Sequence, residues 1–263
     1  MSVLNMFRVD GKVAFVNGAG RGIGAASAIA LAEAGADVAI RARTVGQLDE
    51  VAEAIRGYGR RALVVVADDS VEDDDLSALE RAVDEFGRLD ILVNVVGGAM
   101  PGPFMRARDR DFEQAFQFNV MTAIRLVRAA VPHLLATGDG SVINITTAAA
   151  HMVGRGYTLY GTVKAALDHA TRLLAADLCP KIRVNAVAPG AILTDALAMV
   201  MGNDDIRQSM ERLTPLRRIG TPDEIAAAVL YLASPAGGFL TGKIIEVDGG
   251  TQVPAFEFPI PDL

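Results

Sequence analysis

The sequence predicts an α/β fold, one doubly wound sheet of seven parallel strands with helices on both faces. Three observations carry that reading. Short β-rich apolar runs alternate with longer amphipathic stretches, the pattern of strands joined by helical crossovers. The strand runs are almost continuously apolar, as they are when both faces of a sheet are covered. Of 263 residues, 51% are apolar, enough for a large core and too many for disorder. No internal repeat and no Pro/Gly/Ser linker divides the chain, so 1–263 reads as a single domain ending in an irregular tail, Ala255–Leu263.

The elements follow in order. The strands are expected at Val13–Asn17, Asp37–Ile40, Ala62–Ala67, Ile91–Val96, Ser141–Thr146, Arg183–Ala188 and Lys243–Val247. The amphipathic segments between them are Ala25–Ala34, Val45–Tyr58, Leu76–Phe86, Phe112–Leu135, Tyr160–Leu178 and Pro222–Ala233. Asp68, Asp69, Glu72, Asp73, Asp74 and Asp75 crowd the start of the third helix, where its dipole favours acids. That explanation is simpler than a metal site, and no metal is expected. Val163, Leu167, Ala170, Leu174 and Leu178 make an apolar packing stripe.

Charge and compartment narrow the function classes. The 25 basic and 32 acidic residues give a net charge of -7, and neither sign forms a long run. That argues against nucleic acid or an anionic membrane as the main partner. Cys179 is the only cysteine, so no intrachain disulfide forms, and it reads as a small core residue of a helix. Met1–Asp10 lacks a basic segment followed by an apolar block. No apolar stretch is expected to reach the roughly 20 residues that span a bilayer. The expected location is cytoplasmic.

The first strand runs into Asn17-Gly18-Ala19-Gly20-Arg21-Gly22-Ile23-Gly24 and then a helix. The common Gly-x-Gly-x-x-Gly fingerprint fails, because Ile23 occupies its last glycine position. Gly-x-x-x-Gly-x-Gly fits: Gly18 for the turn, Gly22 for backbone approach to a pyrophosphate, Gly24 for close helix–strand packing. An ordinary tight turn also uses glycines. The place between first strand and first helix favours a Rossmann dinucleotide site, with Gly20, Arg21 and Ile23 in the same loop. An NAD site usually has an acid after the second strand; Ile40-Arg41-Ala42-Arg43-Thr44 has none. Arg43 and Arg21 are instead placed to meet a 2′-phosphate with guanidinium groups. NADP(H) is therefore the expected cofactor, with NAD as the alternative.

Tyr160 and Lys164 stand four apart at the start of a helix, on one face. A free tyrosine titrates near ~10 and is a poor base at neutral pH. A nearby ammonium and an oxidised nicotinamide are expected to favour the phenolate, so that Tyr160 exchanges a proton while hydride moves. With four Tyr and four Lys in the chain, a chance match is expected about 0.06 times.

With these pieces in order the chain resembles the short-chain dehydrogenase/reductase family over essentially its whole length. The matching residues are Gly18–Gly24, Asp68, Asn94–Gly97, Asn119, Asn144–Thr147, Tyr160-x-x-x-Lys164, Pro189-Gly190 and Asp248-Gly249-Gly250. The resemblance implies a four-part site. Tyr160 is the general acid/base, and Lys164 lowers its pKa and holds the nicotinamide ribose. Thr147 orients the substrate oxygen, and Asn119 positions a water in a proton relay. It also implies that Asp68 meets the adenine, and that Asn94 and Gly97 lie on the adenosine side. Pro189, Gly190, Ile192 and Thr194 would surround the carboxamide. Three positions depart from the pattern: Asn17 for Thr, Val95 for Asn, and Thr147 for Ser. The family further implies a homo-oligomer, tetramer or dimer, with the Tyr160 helix in an interface.

Histidines 133, 151 and 169 lack partners at zinc spacing; His151 is expected near the substrate pocket. The segment Asp195–Thr214, with Leu197, Met199, Val200, Met201 and Met210, is expected to cover that pocket. Flexible Met-rich surfaces suit bulky apolar ligands. The expected partner is an apolar small-molecule substrate, steroid-like or lipid-like, as for hydroxysteroid dehydrogenases or 3-oxoacyl reductases. A nucleotide-binding regulator with a weakened site, or a non-redox elimination, are the alternatives.

Overall fold

Strand β1 (Val13–Asn17) leads through α1 (Gly22–Glu33) to β2 (Asp37–Ala42), and α2 (Val45–Gly57) leads to β3 (Ala62–Val66). After α3 (Glu72–Phe86) the chain returns to β4 (Ile91–Asn94). Then follow α4 (Asp109–Phe116), α5 (Thr122–Thr137), β5 (Gly140–Ile145), α6 (Thr158–Leu178) and β6 (Ile182–Pro189). Helices α7 (Asp204–Leu213) and α8 (Pro222–Ala233) precede β7 (Ile244–Val247). This computed structural model describes residues 2–67, 72–195, 197, 204–254, 260 and 262, and of 72–75 the backbone alone.

All seven strands pair in parallel, in the order β3-β2-β1-β4-β5-β6-β7. The order reverses beside β1, so the carboxyl ends of β1 and β4 flank a crevice, the place where open α/β sheets bind ligands. The period of two along β1 explains the two cores. Ala14 and Val16 pack with Ala28 and Leu31 of α1, Leu48 and Ile55 of α2, and Val229 of α8. Val13 and Phe15 point the other way, towards Leu79 of α3, Leu126 and Leu134 of α5, and Ala175 of α6.

Three expectations need correction. The helix read as Phe112–Leu135 begins at Asp109 and passes through one π-helical turn, Gln117–Met121. Its cause is a side chain: Asn119 Nδ2 donates to the Ala115 carbonyl at 2.8 Å, and Thr122 Oγ1 to that of Gln117. Both compete with the backbone ladder. The run Asp109–Thr137 also has the length and apolarity of a membrane span, contrary to the expectation that no stretch does. Here its apolar side chains, Leu126, Val127, Ala130 and Leu134, are buried against the sheet. Cys179, expected in the core, caps the end of α6 and is exposed.

Candidate active site

The first half of the site grows from the end of β1. Gly18, at φ +84°, and Ala19 both donate their N–H to the Arg41 carbonyl at 2.9 Å. That ties the glycine loop to β2. A Cβ on Gly24 would stand 2.0 Å from the Gly18 carbonyl oxygen, and one on Gly20 3.1 Å from Gln47 Oε1. One on Gly22 (φ +54°) would meet Thr194 Cγ2 at 3.3 Å. Only glycines let the loop, α1 and the chain after β6 close so tightly. No side chain caps α1 at Arg21, which leaves its first N–H groups and positive dipole end for an anion. This cradle fits a pyrophosphate.

The departures at the loop find a physical reason. Asn17 Oδ1 accepts from Arg41 Nη1 at 2.6 Å, deep in the sheet. The amide thus serves a buried guanidinium rather than the neighbouring backbone. Arg43 is exposed just beyond β2. Arg21, also exposed, pairs with Asp195 at 3.4 Å. Asn94 turns sideways: its Nδ2 donates to Asn144 Oδ1, and Asn144 Nδ2 to Thr171 Oγ1, each at 2.9 Å. This chain cross-links β4, β5 and α6. Asp68 falls outside the described residues.

The second half is built on α6, where Tyr160 and Lys164 lie one turn apart. Lys164 Nζ is buried and donates to the Ile145 carbonyl at 3.0 Å. A Cβ on Gly97 would stand 2.5 Å from that Nζ and 2.8 Å from Asn119 Oδ1, so glycine is needed there to bring the three groups together. Asn119, fully buried in the π turn, accepts from the Gly98 N–H at 2.8 Å and donates to its carbonyl at 3.0 Å. Thr147 Oγ1 accepts from the Ala149 N–H at 3.3 Å and reaches the Pro189 carbonyl at 3.5 Å.

Tyr160, Lys164 and Thr147 face one cleft of about 510 Å³, whereas Asn119, predicted to hold a water there, lies behind its lining. Thr147, Tyr160, Lys164, Ile23, Gly97, Pro189, Gly190, Ile192 and Thr194, nine of the expected site residues, line it. Met100, Met152, Tyr157, Leu197, Met210 and Pro254 form its apolar wall. Tyr157, Met152 and Pro254 were not legible as site residues, although Tyr157 stands one helical turn before Tyr160. Met199, Val200 and Met201, and most of the tail, lie outside the described residues.

Burial governs the electrostatics. It pushes the Tyr160 phenol above its ordinary value, helped by Tyr157, against a downward pull from the Thr147 hydroxyl. The lowering expected from Lys164 is not seen: burial leads the shift, and the downward pull comes from Thr147. Burial also lowers the Lys164 ammonium to about 8, against the pull of Asp168. His151, expected near the substrate, instead lies outside the cleft lining. Its Nε2 is 2.7 Å from Asp168 Oδ2 and its Nδ1 3.0 Å from Glu246 Oε1.

Known proteins carry the same plan. A family model described as enoyl-(acyl carrier protein) reductase matches residues 18–252. An uncharacterized oxidoreductase of Mycobacterium tuberculosis is 55% identical over 99% of this chain and 100% of its own. The 7alpha-hydroxysteroid dehydrogenase of Escherichia coli (strain K12) is 41% identical over 92% of this chain and 95% of its own. A solved structure of 7alpha-hydroxysteroid dehydrogenase, complexed with NADH and 7-oxo glycochenodeoxycholic acid, superposes with a TM-score of 0.91. It is 39% identical, over 96% of this chain and 98% of that one. A parallel sheet reversing beside a glycine cradle, a Tyr/Lys pair on the helix after β5, and relatives matched end to end leave one conclusion: the chain belongs to the short-chain dehydrogenase/reductase family, oxidoreductases acting on CH–OH groups with a nicotinamide cofactor.

Proposed function

We propose that the chain interconverts a ketone and a secondary alcohol on an apolar, steroid-like or lipid-like substrate, with NADP(H) as its cofactor. The observation that carries this reading is the meeting of Thr147, Tyr160 and Lys164 with an apolar, Met-rich wall on one cleft. The cofactor supplies the hydride. The protein's own groups manage the oxygen and its proton. In reduction, Tyr160 Oη gives its proton to the carbonyl oxygen as that oxygen becomes an alcohol; in oxidation it takes the proton back. Thr147 Oγ1 holds the same oxygen in line. Lys164, fixed by the Ile145 carbonyl, stands one helical turn from Tyr160, where its charge favours the phenolate as the proton leaves. Asn119 keeps the Gly97–Gly98 backbone in the place where Lys164 can approach it.

The preference for NADP(H) rests on β2. Ala42 ends the strand without a carboxylate, and exposed Arg43 follows it with no ion pair among the described residues. A 2′-phosphate supplies the missing anion. The same reading includes a homo-oligomer.

The test is a reductase assay with NADPH and with NADH on a panel of steroid ketones, 3-oxoacyl thioesters and small polar ketones. Expected are turnover with NADPH well above that with NADH, and apolar ketones above polar ones. Tyr160→Phe is expected to lose at least ~10²-fold in turnover with cofactor binding nearly unchanged. Full activity of that variant would remove the mechanism, and equal use of both cofactors would remove the NADP(H) assignment.

A further inference from the structure

Helix α6 carries a third ionisable residue on the stripe of Tyr160 and Lys164. Asp168 lies one turn beyond Lys164 and is 2% exposed. It is faced by Lys164 and Arg172 from α6, by His151 from the turn after β5, and by the Thr146 hydroxyl at the end of β5. His151 in turn reaches Glu246 on β7 at 3.0 Å, and Glu246 is half exposed. Three separate elements therefore converge on one buried carboxylate. A buried charge costs several kcal/mol unless paired. Its neighbours on the stripe, Val163 and Leu167, are apolar and fully packed, so a leucine would suit the position better. The apolar packing offers no reason for an acid here; the ionisable neighbours, His151 and the lysine one turn back, do.

Resting on the reading of Tyr160 and Lys164 as an acid/base pair, we propose that Asp168 is a positioning residue. Through one helical turn it holds the Lys164 ammonium in its charged form, while the His151–Glu246 pair clamps the carboxylate from the protein surface. Lys164 is wholly desolvated and donates to one carbonyl, Ile145. Asp168 is the charge that opposes the loss of its proton. Burial raises the Asp168 carboxyl above its ordinary value, and the pull of Thr146, His151 and Arg172 offsets part of that rise. Glu246 and His151 thus act on Lys164 only through Asp168.

The chain has four lysines, Lys12, Lys164, Lys181 and Lys243, so a lysine-labelled NMR titration resolves each, with Lys164→Arg to assign its signal. In the unmodified protein the Lys164 signal is expected to titrate near about 8. In Asp168→Asn its midpoint should fall by roughly one unit or more, a tenfold or larger loss of proton affinity, with the other three unmoved. Asp168→Glu should restore it. Asp168→Leu, matched to the apolar stripe, should show the same fall and covers the case in which the amide variant does not fold. The reductase activity of both variants, relative to the unmodified protein, should decline as pH rises from 6 to 9. A Lys164 midpoint unchanged in the Asn or Leu variant overturns the proposal. The titration needs neither substrate nor cofactor. A shifted midpoint in a chain that reduces no ketone would therefore keep the electrostatic link and remove the catalytic reading on which its use depends.

Discussion

Lys164 carries its charge at a cost to the fold. Its ammonium is lowered from 10.5 to about 8, so the unfolded chain binds this proton more tightly than the folded one. The penalty is complete below about pH 8, fades as pH climbs from there, and is gone above the unfolded value of 10.5. At neutral pH it is of order 3 kcal/mol. Lys164→Met removes it but orphans the Ile145 carbonyl, which costs ~1–3 kcal/mol. The variant should therefore melt at or above the temperature of the unmodified protein at pH 7, lose that advantage by pH 10, and be inactive. Melting curves at both pH values check this; marked destabilisation at pH 7 would mean the charge stabilises the fold. Thr147 poses the complementary case. If its hydroxyl holds the substrate oxygen, Thr147→Ser keeps turnover and Thr147→Ala loses ~10²–10³-fold. Equal turnover per folded molecule would reduce Thr147 to the cap it forms on Ala149.

Among the elements, the glycine turn states the tightest steric demand. Gly24→Ala would set a methyl 2.0 Å from the Gly18 carbonyl oxygen, so α1 must move away from β1. Cofactor affinity should fall at least ~10-fold and the melting temperature by several degrees, read by cofactor fluorescence and calorimetry. Normal binding in that variant would show that the approach is not needed. This demand was legible in the sequence, because glycine spacing is local and steric. So were all seven strands, whose continuous apolar runs leave little choice. The π turn at Asn119 was not, because it arises from side-chain amide bonds to Ala115 and Gly98 that no helical periodicity encodes. Nor was the Asp168–His151–Glu246 line, whose members come from α6, a turn and β7. His151 was noticed and assigned to the wrong neighbour. Asn17 reads as a simple departure until Arg41 is seen beside it on the adjacent strand.

For the whole molecule, the proposed homo-oligomer has a physical signature. Leu173 stands on the outer face of α6, and Phe116 and Phe118 on the neighbouring helix; all three are substantially exposed. Sedimentation should give a species at least twice the 27.6 kDa of the chain, and Leu173→Asp should shift it towards the monomer. A monomer at all concentrations would contradict this. The strand order bears on how the molecule is made. In a wholly parallel sheet no strand pairs with a hairpin neighbour, and the Val13 N–H waits for a carboxylate, Asp90, that lies 77 residues later. Such distant pairings slow folding. The glycine turn is synthesised early, but the wall it shares with Tyr160 and Lys164 exists only after β4, β5 and α6 have left the ribosome. Until then the edge of β1 that will pair with β4 stays apolar and unpaired, so the nascent chain is open to aggregation before it is open to a cofactor.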